Sequence, residues 1–379
     1  MAPTNPQLIG EGTYGCVSRP SLTCENSPPS MDYTNKVSKL MTKKHAKKEL
    51  AVYRNVLNIP GIEQYLIPKP HICKPNDNAT FREFFSQCGN KKLIDTELRL
   101  LILEDGGIAL EEVFLLLPHM SVVDFTLFVC SWGKIIDAVC FLATHKIMHH
   151  DLKLGNIVYN IQTGSLKFID FGKVKPMSEF VSISSKNQNI EGTSWFNYPV
   201  ETKCTNKEDF LQKKDCLVFR QGMDYDAFII KAAETFDMFS IGLVFKELVE
   251  LMEKFHDLDK KLFGDGGIPI AFFKECYILG EQMSNPDLKY RAFSPCEFQE
   301  SFAKICATHK IKCSAPNKLS ASLVKHLEDV EHVMNVDTCK LKKKTFNPFT
   351  NKCVKKCARG FVRRKTRKNG LFKCVKKKT

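Results

Sequence analysis

The sequence predicts an α+β fold followed by a short, basic, cysteine-containing C-terminal tail. Three observations predict it. Strand-like runs occur early, at residues 7–17, 36–40 and 98–104, whereas helical spacing of apolar residues dominates from Val122 onward. At 379 residues and 43% hydrophobic content, the chain can bury a sizeable core. The charge then changes abruptly. Residues 339–379 hold 17 Lys plus Arg and no Asp or Glu, which leaves a net charge of −3 on the rest.

In chain order, QLIGEGTYGCV (7–17) holds Gly10, Gly12 and Gly15, flanked by Ile9 and Val17. Glycines at this spacing let backbone amides approach phosphates with no Cβ in the way. A tight hairpin or a dinucleotide-binding turn uses the same letters, but no helix-forming run follows here. The run NKVSKLM alternates, with Val37 and Lys39 on one face, so Lys39 suits a nucleotide phosphate. Lys36 competes for that role from the start of the strand. KKHAKKELAVYRNVL reads as a helix in which Glu49 is the only acid. It is either a helix-surface charge or the partner of Lys39. LRLLILEDGG (98–107) reads as a buried strand ending in a Gly-rich hinge. There Glu104 and Gly106 offer backbone groups beside Leu103, although a structural turn would look the same.

From Val122 to Lys146 the apolar residues recur at helical spacing, a core helix with His145 at its end. It delivers the stretch HHDLKLGNI (149–157), and a strand-like LKFID then leads to Asp170-Phe171-Gly172. Phosphoryl transfer from ATP needs a carboxylate for the acceptor hydroxyl, a cation on the moving phosphate and oxygen ligands for Mg²⁺. Asp151, Lys153, Asn156 and Asp170 are the required types at the required spacing. A surface loop with scattered charges would rarely produce both motifs in this order. Beyond them, the polar stretch 173–201 suits a mobile, substrate-facing loop that ends in GTSW (192–195) and Pro199-Val200-Glu201. Residues 202–236 read as an insertion. DMFSIGLVFKELVELMEKF (237–255) is apolar nearly all round, a central helix. Asp237 is either its N-cap or a residue reaching back to the 149–157 loop, and Arg291 is a candidate partner for Glu201.

Taken together, residues 7 to about 310 resemble a eukaryotic-type protein kinase domain, with GEGTYGCV, KVSK, Glu49, LEDGG, HHDLKLGN, DFG, GTSWFNYPVE and DMFSIG in order. The resemblance implies two lobes, a small mainly β N-lobe (about 1–105) and a larger mainly α C-lobe (about 106–335), with ATP between them. It implies that Asp151 is the catalytic base and that Lys153 favours Ser/Thr acceptors. Asn156 and Asp170 would hold Mg²⁺, and Lys39 would be fixed by Glu49. The sequence departs from the family where His150 replaces the Arg that often precedes the catalytic Asp. That Arg commonly grips a phosphorylated activation loop, so its absence implies activity less dependent on such phosphorylation. A kinase-shaped scaffold acting through its tail is the alternative.

The tail, 339–379, with Thr338 before it, reads TCKLKKKTFNPFTNKCVKK (338–356) and then a degenerate second copy, CARGFVRRKTRKNGLFKCVKK (357–377). It resembles the two-cysteine adaptor module of large cytoplasmic DNA viruses such as iridoviruses and ascoviruses, found fused to Ser/Thr kinases. That resemblance implies a viral protein docking on a virion or host protein, located in host cytoplasm or in the virion. A solvated extension and a nucleic-acid-binding tail are the competing readings. Cys339, Cys353, Cys357 and Cys374 could close two disulfide hairpins or, less readily without a CxxC knuckle, bind Zn²⁺. The other twelve Cys, from Cys16 to Cys313, read as small buried hydrophobes in a reducing compartment. With neither a signal-peptide pattern nor an apolar run judged long enough to span a bilayer, the expectation is a soluble, intracellular protein with no membrane partner.

Overall fold

The computed structural model describes residues 5–313 except 13, 29, 115, 187–197, 257–261, 265 and 292–293. It also describes tail strands at 344–347, 352–355, 361–365 and 372–376. The chain divides into two compact units, Met1–Ser320 and Ala321–Thr379.

The first unit begins with an antiparallel sheet in the order β1-β2-β3-β5-β4, formed by β1 (Gln7–Gly12), β2 (Gly15–Arg19), β3 (Lys36–Thr42), β4 (His71–Cys73) and β5 (Leu98–Glu104). The alternation in β3 sets its function: Ser38 and Leu40 are fully buried on one face, which leaves Val37 and Lys39 on the other. Register pairs Lys39 with Val17 on one side and Leu101 on the other, so the lysine stands beneath the β1–β2 turn. Gly15 is required there, because a Cβ would lie 2.1 Å from the carbonyl oxygen of Leu40. Thr42 caps α1 (Lys43–Val56) by accepting from the His45 amide. The helix buries Glu49, Leu50 and Tyr53 against the sheet.

The second half of this unit is helical. β6 (Ile108–Ala109) and α3 (Leu110–Val113) precede α4 (Val122–Thr144), which starts at a reciprocal capping box between Ser121 and Asp124. Phe125, Phe128, Trp132, Ile136 and Val139 of α4 are buried. By length and composition α4 is long and apolar enough to cross a membrane, which corrects the expectation that no run qualifies. In this fold its apolar residues pack against helices and β9. His145 is its C-cap, as the sequence suggested. Then come β7 (Ile147–Met148), β8 (Ile157–Asn160), β9 (Ser165–Phe168) and β10 (Lys175–Pro176).

After β10 the chain is a helix, α5 (Met177–Ser185), where a mobile loop was expected. Met177 and Phe180 are buried at helical spacing, with Ser184 buried one turn on and its hydroxyl donating to the Phe180 carbonyl, and that buried face outweighs the polar composition. The GTSW segment lies outside the described residues. Short α6 (Lys207–Gln212) and α7 (Leu217–Arg220) precede α8 (Tyr225–His256). That helix starts before Asp237, because Phe228, Ile229, Ala232, Ala233 and Phe236 already follow helical spacing and are buried. α9 (Ile270–Met283) crosses α8 closely at two glycines. A Cβ on Gly242 would lie 2.7 Å from the Gly280 carbonyl oxygen. α10 (Glu297–Thr308) packs on α4 and α9.

The cysteine expectation is corrected for ten of the twelve. The structure pairs Cys16–Cys88, Cys24–Cys73, Cys130–Cys313, Cys140–Cys296 and Cys204–Cys216. Only Cys276 and Cys306 remain as buried thiols. Spacing carries no information on such pairings when the partners lie far apart in sequence.

In the second unit, β11 (Lys344–Asn347) pairs with β12 (Lys352–Lys355), and β13 (Phe361–Lys365) with β14 (Phe372–Lys376). Cys353 and Cys374 sit on the second strand of each hairpin, opposite Phe346 and Arg363. Cys339 and Cys357 lie outside the described residues.

Candidate active site

A cleft of about 1160 Å³ lies between the sheet and the helical part of the first unit. Its lining brings together nearly every residue singled out in the sequence: Ile9, Gly10, Gly12, Gly15 and Val17 from the lid, Lys39 and Glu49, Glu104 and Gly106, and Asp151, Lys153, Asn156 and Asp170.

The Lys39 Nζ donates to Glu49 Oε2 at 2.9 Å and to Asp170 Oδ1 at 2.9 Å. Lys36 lies apart from this cluster, paired with Glu104 at 3.2 Å on the exposed side. Glu49 is buried, so it is no surface charge. Burial pushes its carboxyl upward, against the pull of Lys39. Burial also acts to raise Asp170, but the Lys39 ammonium wins and holds it at about 2. Lys39 itself is raised despite its burial, because two carboxylates surround it. Phe171 is buried edge-on against Tyr53 of α1, with ring centroids 4.7 Å apart, which places Asp170 and Glu49 on the same lysine.

The loop 149–156 is held from below. Asp237, midway along α8 and so not an N-cap, accepts from the backbone amides of both His149 and His150, the latter at 2.9 Å. Burial raises Asp237 to about 6, and those two amide bonds oppose the rise. His149 Nε2 donates to the Ile169 carbonyl at 3.1 Å, and burial lowers this imidazole to about 4. His150 adopts φ 65° and sits among Phe236, Tyr198 and Phe180, at centroid distances of 4.6, 5.2 and 5.9 Å. Neither of its ring nitrogens has a hydrogen-bond partner among the described residues. Burial, with Lys175 and Lys173 nearby, holds it neutral.

Above that base, Asn156 Nδ2 donates to the Asp151 carbonyl at 2.7 Å and to Asp151 Oδ2 at 3.0 Å. Asn156 Oδ1 and the Asp170 carboxylate are therefore the oxygen atoms suited to Mg²⁺, a hard cation that prefers oxygen ligands. Lys153 Nζ lies 3.4 Å from Asp151 Oδ2. Lys173, which the sequence reading passed over, lies 3.1 Å from Asp151 Oδ1. Its only sequence signal is adjacency to Gly172. Lys173 also donates to the Tyr198 hydroxyl at 3.1 Å, and that hydroxyl donates to the His150 carbonyl at 2.8 Å.

Glu201 and Arg291 form a fully buried bidentate pair, as suggested. Arg291 is completed by the Asn285 carbonyl at 2.8 Å and the Thr235 hydroxyl at 3.2 Å. This pair ties the end of the segment that follows Asp170 to the chain between α9 and α10 and, through Thr235, to α8.

Sheet order, cleft and loop geometry define a two-lobed protein kinase fold. Sequence comparison agrees: the model of the protein kinase domain matches residues 4–210, more than half of the chain, and the chain belongs to that family. It is 24% identical over 197 residues to serine/threonine-protein kinase dst4 of Dictyostelium discoideum, a match covering 51% of this chain and 33% of that protein. The chain thus spans about a third of the length of this relative.

Proposed function

We propose that the protein is a serine/threonine protein kinase that transfers the γ-phosphate of ATP to protein hydroxyls. One observation carries this reading: Lys39, Glu49, Asp151, Asn156 and Asp170 converge on one glycine-lidded cleft with their mutual hydrogen bonds made. In the proposed reaction Asp151 orients the acceptor hydroxyl and accepts its proton. Lys153 places a cation beside the transferring group. Lys39, held by Glu49, is positioned for the α- and β-phosphates under the Gly10–Val17 lid. Asn156 Oδ1 and Asp170 would hold Mg²⁺, which when bound neutralises charge on the phosphates. The hinge at Glu104 and Gly106 would take the adenine edge. Packing holds position 106 to glycine, since a Cβ there would lie 2.6 Å from Ile67 and from Val158.

The neutral, caged His150 supports activity that does not await phosphorylation of the following segment. A buried imidazole among three aromatic rings offers no cation to a phosphate. The tail supports a separate docking role, on a virion or host protein in a virus-infected cell. KCVKK occurs at both 352–356 and 373–377, and its first four residues, 352–355 and 373–376, lie on the second strand of each hairpin.

The experiment is incubation of the full chain with Mg²⁺, labelled ATP and casein or histone, followed by phosphoamino-acid analysis. Label on phosphoserine and phosphothreonine supports the reading. Absence of transfer, autophosphorylation included, would favour the scaffold.

A further inference from the structure

β4 and β5 are adjacent antiparallel strands, which a turn of about two to five residues could join. Residues 74–97 intervene instead. They include α2 (Ala79–Gln87), capped by Asn78, whose Phe81 and Phe84 pack with Leu22, Leu40 and Leu100 on the face of the sheet away from Lys39. Beyond α2 the chain arrives at the glycine lid and is fastened to it three times. Cys88 is bonded to Cys16 of β2. The Gly89 amide donates to Glu11 Oε2 at 3.3 Å. Asn90 Nδ2 donates to the Gly12 carbonyl at 2.7 Å.

Asn90 acts in two directions, because its Oδ1 also accepts from the Lys92 amide at 3.0 Å. The same side chain therefore sets the lid and the turn that presents Lys91 and Lys92. Buried Leu93 anchors the far end of that turn. Both lysines line the cleft alongside Gly10, Gly12 and Lys39. Among the described residues neither has a carboxylate partner, whereas Lys39 has two.

Resting on the reading of this cleft as an ATP site, we propose that residues 88–92 form a second nucleotide-binding element: a strap that holds the glycine lid over the cleft and adds Lys91 and Lys92 to the cations facing the polyphosphate. A lid fastened by the fold loses less freedom when nucleotide binds, and that saving appears as affinity. The two ammonium groups favour a polyanion over an uncharged ligand of the same base.

The test is calorimetric titration of the full chain with Mg²⁺ and a non-hydrolysable ATP analogue, and separately with adenosine. Lys91 and Lys92 are exposed, so the double variant Lys91→Ala/Lys92→Ala should fold; circular dichroism checks this. It should bind the analogue about five- to tenfold more weakly, with adenosine unchanged within about twofold. Asn90→Ala should weaken the analogue and speed amide hydrogen exchange at Gly10–Gly15 several-fold. Cys88→Ser should speed the same amides. Analogue affinity within about twofold of wild type in both lysine and Asn90 variants overturns the proposal. So does an equal loss for adenosine and analogue in the lysine variant. A wild-type protein that binds neither ligand would instead overturn the ATP-site reading beneath it.

Discussion

The ammonium group of Lys173 lies 3.1 Å from Oδ1 of Asp151, while Lys153 lies 3.4 Å from Oδ2. Each oxygen of the proposed catalytic carboxylate therefore faces a cation, one from the loop itself and one from the chain leaving Asp170-Phe171-Gly172. Lys173 also contacts the Tyr198 hydroxyl, which bonds the His150 backbone. Lys173 thus ties the 149–156 loop to Tyr198, near the far end of the segment that follows Asp170.

Lys173→Met removes that tie and leaves Lys39, Asn156 and Asp170 in place. It should lower kcat for a protein acceptor by about tenfold, with the KM for ATP changed by less than about twofold. Steady-state kinetics with each substrate varied in turn measures both. A loss confined to the KM for ATP would show that Lys173 serves the nucleotide instead.

The two buried imidazoles give stability a definite pH slope. His149, at about 4, and His150, held well below its ordinary value, stay neutral in the native state. In the unfolded chain both bind protons below about 6.5. The unfolded state then carries more protons, so their contribution is intact above that pH and is lost as pH falls. Asp237, raised to about 6, takes up a proton in the native state and partly offsets the loss. The net effect between pH 7 and 5.5 should be about 1–2 kcal/mol of destabilisation. Urea unfolding across this range measures it, and His150→Phe should flatten the slope. A wild-type stability that rises on acidification would contradict the burial of neutral imidazoles.

Five disulfides in the first unit predict a protein that is purified oxidised and weakened by reductant. Cys130–Cys313 and Cys140–Cys296 close the longest loops, tying α4 to the chain around α10. Each should contribute about 2–4 kcal/mol. Peptide mapping without reductant should recover these pairs, and a phosphine reductant should lower Tm by several degrees. Free thiols throughout the mapped peptides would contradict the pairings.

The parts of this molecule that were legible in the sequence are those where chemistry restricts residue type and spacing together. In the proposed reaction Asp151, Asn156 and Asp170 supply oxygen atoms at fixed intervals, two from one loop and one from the turn just past β9. Lys39 was readable because strand alternation places it opposite buried Ser38 and Leu40. Glu49 followed from its position on the next helix. What stayed hidden depends on contacts between distant segments. Cys16 and Cys88 are 72 residues apart, and nothing in either neighbourhood encodes the other. The helix α5 was obscured by polar composition, although Met177 and Phe180 supply its buried face. Lys173 carried no motif of its own. Asp237 is legible as a partner of the 149–156 loop but not as a residue inside α8, because polar residues interrupt the apolar spacing from Phe228 onward.

The central claim is that Asp151 carries the chemistry in a cleft built to hold ATP. Asp151→Asn keeps the shape of the side chain and the Asn156 contact to the Asp151 backbone carbonyl. Phosphate transfer to a Ser/Thr protein acceptor should fall by about two to four orders of magnitude, while Mg-ATP affinity and Tm stay close to wild type. Transfer at near wild-type rate in this variant, with the wild type active, would contradict the account.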